Sequence, residues 1–304
     1  MTSETSVLAF CQFDHSERLG TGPIDKGFQI AHPIPWKPLS VTAIRSRLRT
    51  RHNELPVHVV SLTSSTQDDA QSALTSGAPH GTLFAAERQT KGRGRHGHRW
   101  LTTPGNLLFS LVIRGVATGS DTLGHLTIAV VVSIAQVLEH HTGASALIKW
   151  PNDIMFGQAK AGGVLINVQG SNAILGVGLN MFGSPGLADG QATTAVANFA
   201  NRPFERNALL AVLVDTILDG IDTNSHRSAA VFDEWVSRSA VMGRAVEIQD
   251  RTHRIGHVTG FDPSGALLLR ETDGSVTKIA STNGSLRVLS WENSRPAEEP
   301  SQTP

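Results

Sequence analysis

The segment of residues 87–100, which reads ERQTKGRGRHGHRW, constrains the fold more than any other part of the chain. It holds three glycines, one lysine and four arginines in fourteen positions, and it has no aliphatic side chain. Such a segment cannot bury itself, because it has almost nothing apolar to pack and its glycines leave the backbone mobile. We therefore predict a loop. Its cations and unobstructed backbone N–H groups suit an anion such as phosphate or a carboxylate, and a solvated hairpin without a ligand is the alternative.

The same segment contains GxGxxG at Gly92, Gly94 and Gly97, a spacing that dinucleotide-binding folds use. That fingerprint must open a helix. Here the chain passes through TTPG at 102–105 into LLFSLVI, an apolar run of strand length. A loop between two strands therefore fits the sequence better than a Rossmann fold.

Composition excludes several classes of protein. The chain has 304 residues with 26 basic and 26 acidic side chains, so no net charge marks it as a binder of nucleic acid or membrane surfaces. Its single cysteine, Cys11, excludes an internal disulfide and favours a reducing compartment. The apolar run at 126–138 is too short to span a membrane and predicts a buried helix. Because the N-terminus also lacks a secretory core, we expect a cytoplasmic protein.

The apolar pattern divides the chain into four segments. Residues 1–38, with four prolines, are expected to form an irregular extension, and residues 291–304 a disordered tail. Residues 39–240 alternate helical and strand patterns, whereas 241–290 hold five short strands with turns and predict a small β-barrel. Predicted helices lie near 40–48, 66–77, 121–143, 205–222 and 228–239, and predicted strands at 57–62, 82–88, 107–114, 146–150 and 172–181.

Helix boundaries come from capping signals. Ser64, Ser65 and Thr66 precede two aspartates and predict a helix N-terminus, whose free N–H groups could hold a ligand as well as a cap. Ser120 or Asp121 is expected to cap the long helix that ends at Gly143.

A second polar cluster interrupts the apolar strands of residues 149–166. It contains Lys149, Asn152, Asp153 and Lys160. Buried polar groups need partners, and polar groups at strand ends favour a binding site over a core. A hairpin with its turn at FGQA would place Asp153 beside Lys160, although an ordinary ion pair would look the same. In the strand that follows, which ends at Asn180, two glycines would allow close approach to the backbone.

Four motifs in order, GRGRHGHRW, KWPND, KAGGVLI and GVGLNM, followed by a small barrel, resemble the biotin protein ligase family over residues 57–290. The resemblance implies an α+β fold like that of class II aminoacyl-tRNA synthetases, with a mixed β-sheet flanked by helices and a C-terminal SH3-like β-barrel. Residues 39–240 would then be the biotin- and ATP-binding catalytic domain. The resemblance also implies ATP-dependent formation of biotinyl-5'-AMP with Mg²⁺, and transfer of biotin to a lysine of a biotin carboxyl carrier protein. Because residues 1–55 show no winged-helix pattern, a monofunctional ligase is expected.

The resemblance also assigns roles to residues. Ser65, Thr66, Gln67 and Gln89 would contact biotin, and Arg93, Gly94 and Arg95 would form the loop that closes over biotin and the adenylate. Lys160 would touch both the biotin carboxylate and the reacting phosphate. Arg93, Arg95, Lys149, Asn152 and Asn180 would bind the nucleotide, and Asn152, Asp153 and Asn180 lie where the family places nucleotide and metal contacts. Lys160, Arg95 and Asp153 are the predicted catalytic residues. Asp153 is the candidate for orienting or deprotonating the acceptor amine.

Two other functions are compatible with the same sequence. A lipoate or octanoate protein ligase or transferase would use a related fold and acyl-transfer chemistry. A biotin-responsive transcriptional regulator would need a DNA-binding module, for which the first 55 residues give no pattern. No metal site of protein ligands is assigned, because the histidines lack companion spacing. A homodimer is a possible assembly.

Overall fold

The computed structural model describes residues 36–117, 119–188, 190–222, 228–249, 252–280 and 284–291. The predicted N-terminal extension up to residue 35 and the predicted tail after Trp291 lie outside these ranges.

A seven-stranded sheet forms the centre of the molecule. Its strands are β1 (Val57–Thr63), β2 (Leu83–Gln89), β3 (Leu107–Arg114), β4 (Ala146–Lys149), β5 (Asp153–Phe156), β6 (Ala159–Gln169) and β7 (Asn172–Leu179). They lie in the order β1-β2-β3-β7-β6-β5-β4. Only β1 and β2 pair in parallel, and every other neighbouring pair is antiparallel. The mixed sheet implied by the sequence is confirmed.

Five α-helices accompany this sheet within the described residues: α1 (Val41–Arg45), α2 (Thr66–Thr75), α3 (Thr122–Thr142), α4 (Arg206–Asp222) and α5 (Ala229–Ser237). The apolar sides of α3 and α4 pack with alternate residues of the strands in one large core. The opposite face of the sheet carries α2, where Ala70 and Leu74 pack on Val112 and Ile174. Because α2 covers only part of that face, room is left beside it for a site.

The long helix α3 is apolar because it lies inside the fold. By length and composition it could cross a membrane, but 67% of its most apolar window is buried in the protein. It is therefore a core helix, as the sequence predicted. Gly143 ends it in the left-handed conformation, with φ of 75°.

The predicted N-terminal cap of α3 was wrong in its chemistry. Asp121 stands at the cap position, but its side chain accepts no hydrogen bond from the helix. Its backbone is helical there (φ −96°, ψ −3°) rather than extended, as a capping side chain requires. Ser120 instead donates its hydroxyl to the Asp121 carboxylate.

The C-terminal segment forms the five predicted strands. The short strands β8 (Leu187–Ala188) and β9 (Gln191–Ala192) come before this segment. Its five strands are β10 (Ala245–Gln249), β11 (His253–Phe261), β12 (Leu267–Glu271), β13 (Val276–Ile279) and β14 (Ser285–Val288). They form an antiparallel sheet in the order β13-β12-β11-β10-β14. This sheet is consistent with an SH3-like domain. No barrel is closed among the described residues, because the four-residue edge strands β13 and β14 do not pair with each other.

The turn between β11 and β12 docks the C-terminal sheet against the larger one. Trp150 donates its indole N–H to the carbonyl of Gly265 at 3.0 Å. Gly124 of α3 approaches so closely that a Cβ atom there would lie 2.1 Å from the carbonyl oxygen of Ser264. The contact fixes the position of the second sheet beside the residues that follow Trp150, and these include part of the predicted site.

Candidate active site

A cavity of about 720 Å³ lies between the glycine-rich segment, the larger sheet and the C-terminal sheet. Its volume is typical of sites for small molecules and cofactors. Every site residue predicted from the sequence lines it: Ser65, Thr66, Gln67, Gln89, Arg93, Gly94, Arg95, Lys149, Asn152, Asp153, Lys160 and Asn180. The structure thus brings together residues that are spread over more than one hundred positions of the chain.

The N-terminus of α2 forms one end of the cavity. Ser65 caps the helix as predicted, since its hydroxyl accepts a hydrogen bond from the Gln67 N–H. The N–H of Thr66 donates to the side-chain carbonyl of Gln89 at 2.8 Å, and its hydroxyl shares a hydrogen bond with Ser110. These side chains are held by neighbouring strands, so they are ordered before any ligand binds.

Two glycines of β7 create the floor of this end. A Cβ atom on Gly176 would lie 2.6 Å from the amide nitrogen of Gln67, and one on Gly178 would lie 2.5 Å from the indole ring of Trp100. Both side chains therefore rest directly on the strand backbone, which confirms the close approach expected there. Gln67 is held further by donating to the carbonyl of Leu165 at 2.7 Å.

The glycine-rich segment is a loop between β2 and β3, as predicted, and it begins after Gln89. Its two sides meet at a bridge between Arg93 and Arg99. Inside the bridge, the N–H of Gly94 donates to the carbonyl of His98 at 2.7 Å. Gly97, with φ of 82°, ends a single 3₁₀ turn at the tip. The GxGxxG spacing thus closes a narrow hairpin and does not open a Rossmann helix.

The two arginines of this hairpin face different surroundings. Arg93 is 57% exposed and pairs with Asp68 of α2 at 2.7 Å. Arg95 instead turns toward the cavity and donates to the amide oxygen of Asn152 at 3.3 Å. Burial lowers the pKa of Arg95, and the charge of Asp153 acts in the opposite direction. A partly desolvated guanidinium of this kind is an effective partner for an anion.

The hairpin of β5 and β6 places Asp153 against Lys160, as the sequence predicted. Lys160 Nζ lies 2.7 Å from Asp153 Oδ1 and 5.8 Å from the centre of the Trp100 ring. An irregularity in the pairing between Ile154 and Met155 shifts the strand register beside the two residues.

Lys149 supplies a further cation at the cavity wall. Its Nζ donates to the side-chain carbonyl of Gln191 on β9 at 2.9 Å. Burial lowers the pKa of Lys149, the charge of Asp153 raises it, and that of Lys160 lowers it. Three cationic side chains (Arg95, Lys149 and Lys160) therefore line one cavity with Asp153 among them. This arrangement favours binding of anionic groups.

The C-terminal sheet, for which the sequence predicts no site residue, also contributes to the cavity. Glu247, Gln249 and Arg287 line the same cavity, and so does Gln191 of β9. Glu247 accepts hydrogen bonds from His253 at 2.8 Å, from Gln249 at 3.1 Å and from Arg287 at 2.8 Å. These bonds lower the pKa of Glu247 to about 2, and the bond from His253 makes the largest contribution to the shift. The carboxylate thus stays ionised and holds Arg287 at the cavity.

Strand alternation carried part of the missing signal. Val246 and Ile248 are fully buried in the C-terminal sheet, so Glu247 and Gln249 must share its other face. Which face of this sheet lines a site, however, depends on how the sheet docks. That docking involves the glycine contact with Ser264 and the Trp150 hydrogen bond, and neither has a local signature in the sequence.

Within the described ranges, no three His, Cys, Asp or Glu side chains gather in a group that could hold a metal ion.

The indole N–H of Trp100, which lines the cavity, is buried without a hydrogen-bond partner. A ligand acceptor in the cavity would satisfy it.

Comparisons with known proteins agree with the geometry. The Biotin/lipoate A/B protein ligase family matches residues 59–181. The bifunctional ligase/repressor BirA of Bacillus subtilis is 30% identical over 273 residues, covering 85% of this chain and 82% of the relative. A biotin-acetyl-CoA-carboxylase ligase of Mycobacterium tuberculosis is 30% identical over 219 residues, covering 69% of this chain and 82% of its own.

A solved structure shows the same architecture. The biotin protein ligase from Aquifex aeolicus, in complex with biotin and ATP, superposes with a TM-score of 0.67 and 25% identity, covering 77% of this chain and 99% of that one. The resemblance indicated by the four motifs is confirmed at the level of sequence and of fold. The chain therefore belongs to the biotin protein ligase family, and it is an enzyme of the biotin ligase class.

Proposed function

We propose that this enzyme forms biotinyl-5'-AMP from biotin and ATP and then transfers biotin to a lysine of a biotin carboxyl carrier protein. One observation carries the proposal: a single cavity joins a polar recess at the start of α2 to a corner that contains three cations. The ligand of the Aquifex aeolicus relative and the name of the Mycobacterium tuberculosis relative support it. We further propose that residues 39–240 form the catalytic domain, with 241–290 as its SH3-like accessory.

Biotin would enter the recess with its polar ring toward α2. Ser65, Thr66, Gln67 and Gln89 surround the recess with hydroxyl and amide groups, which match the donors and acceptors of a ureido ring. The apolar chain of biotin would run past Gly176, Val177 and Gly178 of β7, which line the same cavity. The carboxylate of biotin would then point toward the cationic corner.

The first half-reaction needs those cations. A carboxylate must attack the α-phosphorus of ATP, and these two anions repel each other on approach. At an effective dielectric constant near 20, one unit charge about 4 Å from an opposite charge contributes roughly 4 kcal/mol. Arg95, Lys149 and Lys160 would screen the repulsion and stabilise the charge that builds on the phosphoryl oxygens. Among these, Arg95 and Lys160 would be catalytic, and Arg93, Asn152 and Asn180 would assist in binding the nucleotide.

The carboxylate available to Mg²⁺ in this corner is that of Asp153. Its Oδ1 contacts Lys160, which leaves Oδ2 for a cation. The amide oxygen of Asn152 already accepts from Arg95, and its nitrogen donates to the carbonyl of Val164, which leaves one N–H for the nucleotide. One carboxylate fits an ion that arrives on the nucleotide, since Mg²⁺ usually binds through one or two carboxylates together with substrate phosphates. When bound, Mg²⁺ supplies further neutralisation of phosphate charge.

The hairpin of the glycine-rich segment would retain the adenylate. Its contact with α2 through Arg93 and Asp68 is a surface ion pair, which contributes only about 0–1 kcal/mol. The hairpin can therefore open to admit substrates. Once Arg95 meets an anion, closure would exclude water from a mixed anhydride that hydrolyses readily.

The second half-reaction needs a neutral amine. A lysine side chain with a reference pKa of about 10.4 must lose a proton before it attacks. We assign Asp153 to orient or accept a proton from this amine, because it is the carboxylate placed among the cations that bind the acyl phosphate. The expected setting is the cytoplasm, where carboxylases and ATP are present.

The test is incubation of the purified enzyme with ATP, Mg²⁺, labelled biotin and a carrier domain. We expect label on the carrier, dependent on ATP, and no comparable labelling with lipoate. Preferred transfer of lipoate or octanoate would instead support the related acyl transferases. Failure to bind biotin in the presence of nucleotide would overturn the proposal. An electrophoretic shift assay with DNA tests the regulatory alternative.

A further inference from the structure

Two buried asparagines connect the core of the larger sheet to the cavity. Asn106 precedes β3 and is fully buried, and Asn180 follows β7 and lines the cavity with 2% of its surface exposed. Asn106 Oδ1 accepts a hydrogen bond from the backbone N–H of Met181 at 3.1 Å. Asn106 Nδ2 donates to Asn180 Oδ1, also at 3.1 Å.

The backbone determines which way both amides point. The N–H of Met181 can only donate, so the atom of Asn106 that faces it must be the oxygen. The nitrogen of Asn106 then faces Asn180, and Asn180 must turn its own oxygen inward to accept. Its Nδ2 group is consequently directed away from Asn106, and it donates no hydrogen bond to the other described residues.

Asn106 cannot easily adjust, because a buried arginine holds its backbone. Arg206 Nη1 donates to the carbonyl of Asn106 at 3.1 Å. The same guanidinium, whose side chain is completely buried, pairs with Glu87 at 3.0 Å and donates to the carbonyl of Lys37 at 2.9 Å. A cation held on several sides in this way is costly to displace.

We propose that Asn106 is a positioning residue that makes Asn180 a hydrogen-bond donor toward the nucleotide. This inference rests on the proposed function. Asn180 would donate to an acceptor atom of ATP, and it would not bind Mg²⁺, because the oxygen that a metal requires is turned inward to Asn106. The backbone N–H of Met181 thus determines, through Asn106, which end of the Asn180 amide faces the nucleotide.

The direct test is Asn106→Asp in the full chain. An aspartate keeps an acceptor for Met181 but offers a second acceptor to Asn180. Asn180 would then turn its nitrogen inward and present its oxygen to the nucleotide. We expect the KM for ATP in adenylate formation to rise about tenfold or more, since a hydrogen bond is lost and a repulsive contact replaces it. The affinity for biotin alone, measured by calorimetry, should stay within about twofold of the unsubstituted enzyme.

Asn106→Leu is the matched control. It removes both hydrogen bonds, leaves the Met181 N–H unsatisfied and lets Asn180 turn either way. The leucine variant should therefore lose more thermal stability than the aspartate variant, but its KM for ATP should rise less. If Asn106 had only a structural role, the less stable leucine variant would also show the larger rise in KM for ATP. That result would overturn the proposal.

A second variant keeps the test decisive if Asn106→Asp does not fold. Asn180→Asp can still accept from Asn106 but presents only acceptor oxygen to the cavity, so it too should raise the KM for ATP about tenfold or more. An unchanged KM for ATP in either folded variant refutes the inference. If the unsubstituted enzyme makes no adenylate, the proposed function fails instead, and the two failures are distinguishable.

Discussion

Lys160→Ala is the substitution with the largest expected effect on catalysis. The lysine contacts Asp153 at 2.7 Å and lines the cavity where we place the biotin carboxylate and the α-phosphate. Its removal deletes one cation and also takes away the ion-pair partner of the Asp153 carboxylate, which then has only Arg95 and Lys149 nearby. Both changes act on the charge that develops in the first half-reaction.

The size of the effect follows from these two contributions. Loss of one group that stabilises an oxyanion typically lowers kcat by about 10²–10³, equivalent to roughly 2.7–4 kcal/mol. Weaker compensation of the Asp153 charge adds repulsion against two anionic substrates, so we expect a fall of about 10³ or more in adenylate formation. The ion pair is mostly buried, with 23% and 16% of the two side chains exposed, so its loss should also lower the melting temperature. The rate is therefore measured well below the melting temperature of the variant.

The assay is single-turnover formation of biotinyl-5'-AMP from labelled ATP at saturating biotin. Lys278→Ala is the matched control, because Lys278 also pairs with an aspartate, Asp262, but does not line the cavity. It should retain full activity.

Two outcomes would refute the reasoning about Lys160. Adenylate formation by Lys160→Ala within about threefold of the unsubstituted rate would remove this lysine from the mechanism. An equal loss of activity in Lys278→Ala would show that the effect comes from general destabilisation.

Three further predictions concern other parts of the site. Arg95→Gly should speed escape of the adenylate, so labelling of bystander lysines on an added protein should increase, and no increase would mean that the hairpin does not retain the intermediate. Gly178→Ala should weaken biotin binding in calorimetry by at least about tenfold, because its Cβ would lie 2.5 Å from the ring of Trp100. Hydrogen bonds lower the pKa of Glu247 to about 2, and the bond from His253 contributes most to this shift. The lowered pKa stabilises the folded state fully above pH 4.5, the ordinary pKa of a glutamate, and this stabilisation is lost as the pH falls toward 2. Urea midpoints between pH 5 and 3 should thus fall less steeply in Glu247→Gln, and parallel curves would contradict this prediction.

The parts of the fold that the sequence predicted well depend on local chemistry. The α2 N-terminus at Ser65, the Asp153–Lys160 hairpin and the loop nature of residues 87–100 each follow from neighbours within about ten positions. The predicted cap at Asp121 was wrong because the backbone there continues in helical geometry, which no residue type reveals by itself. An apolar period locates a helix better than it locates the first residue of that helix.

The undetected parts of the site depend on contacts across the chain. Asn106 lies 74 positions before Asn180 and by itself is an ordinary asparagine beside a strand, whereas Asn180 is already predicted as a nucleotide contact through its motif. Glu247 was placed in an accessory barrel because nothing in its strand indicates which element faces it. The role of Asn106 becomes visible only when β3 and β7 are known to be neighbours, and that of Glu247 only when the docking of the C-terminal sheet is known.

The cavity has a fixed base and a lightly held cover, and this difference suits a two-step reaction. Behind the base lies Arg206, whose side chain is completely buried among Glu87 and backbone carbonyls. It holds the backbone of Asn106, which contacts the cavity residue Asn180. The cover is attached to α2 through the exposed ion pair of Arg93, which costs little to open. If the hairpin were held as firmly as the base, the acceptor lysine could not reach the adenylate. If the base were as loose as the hairpin, the carboxylate and phosphate would not be kept aligned for attack.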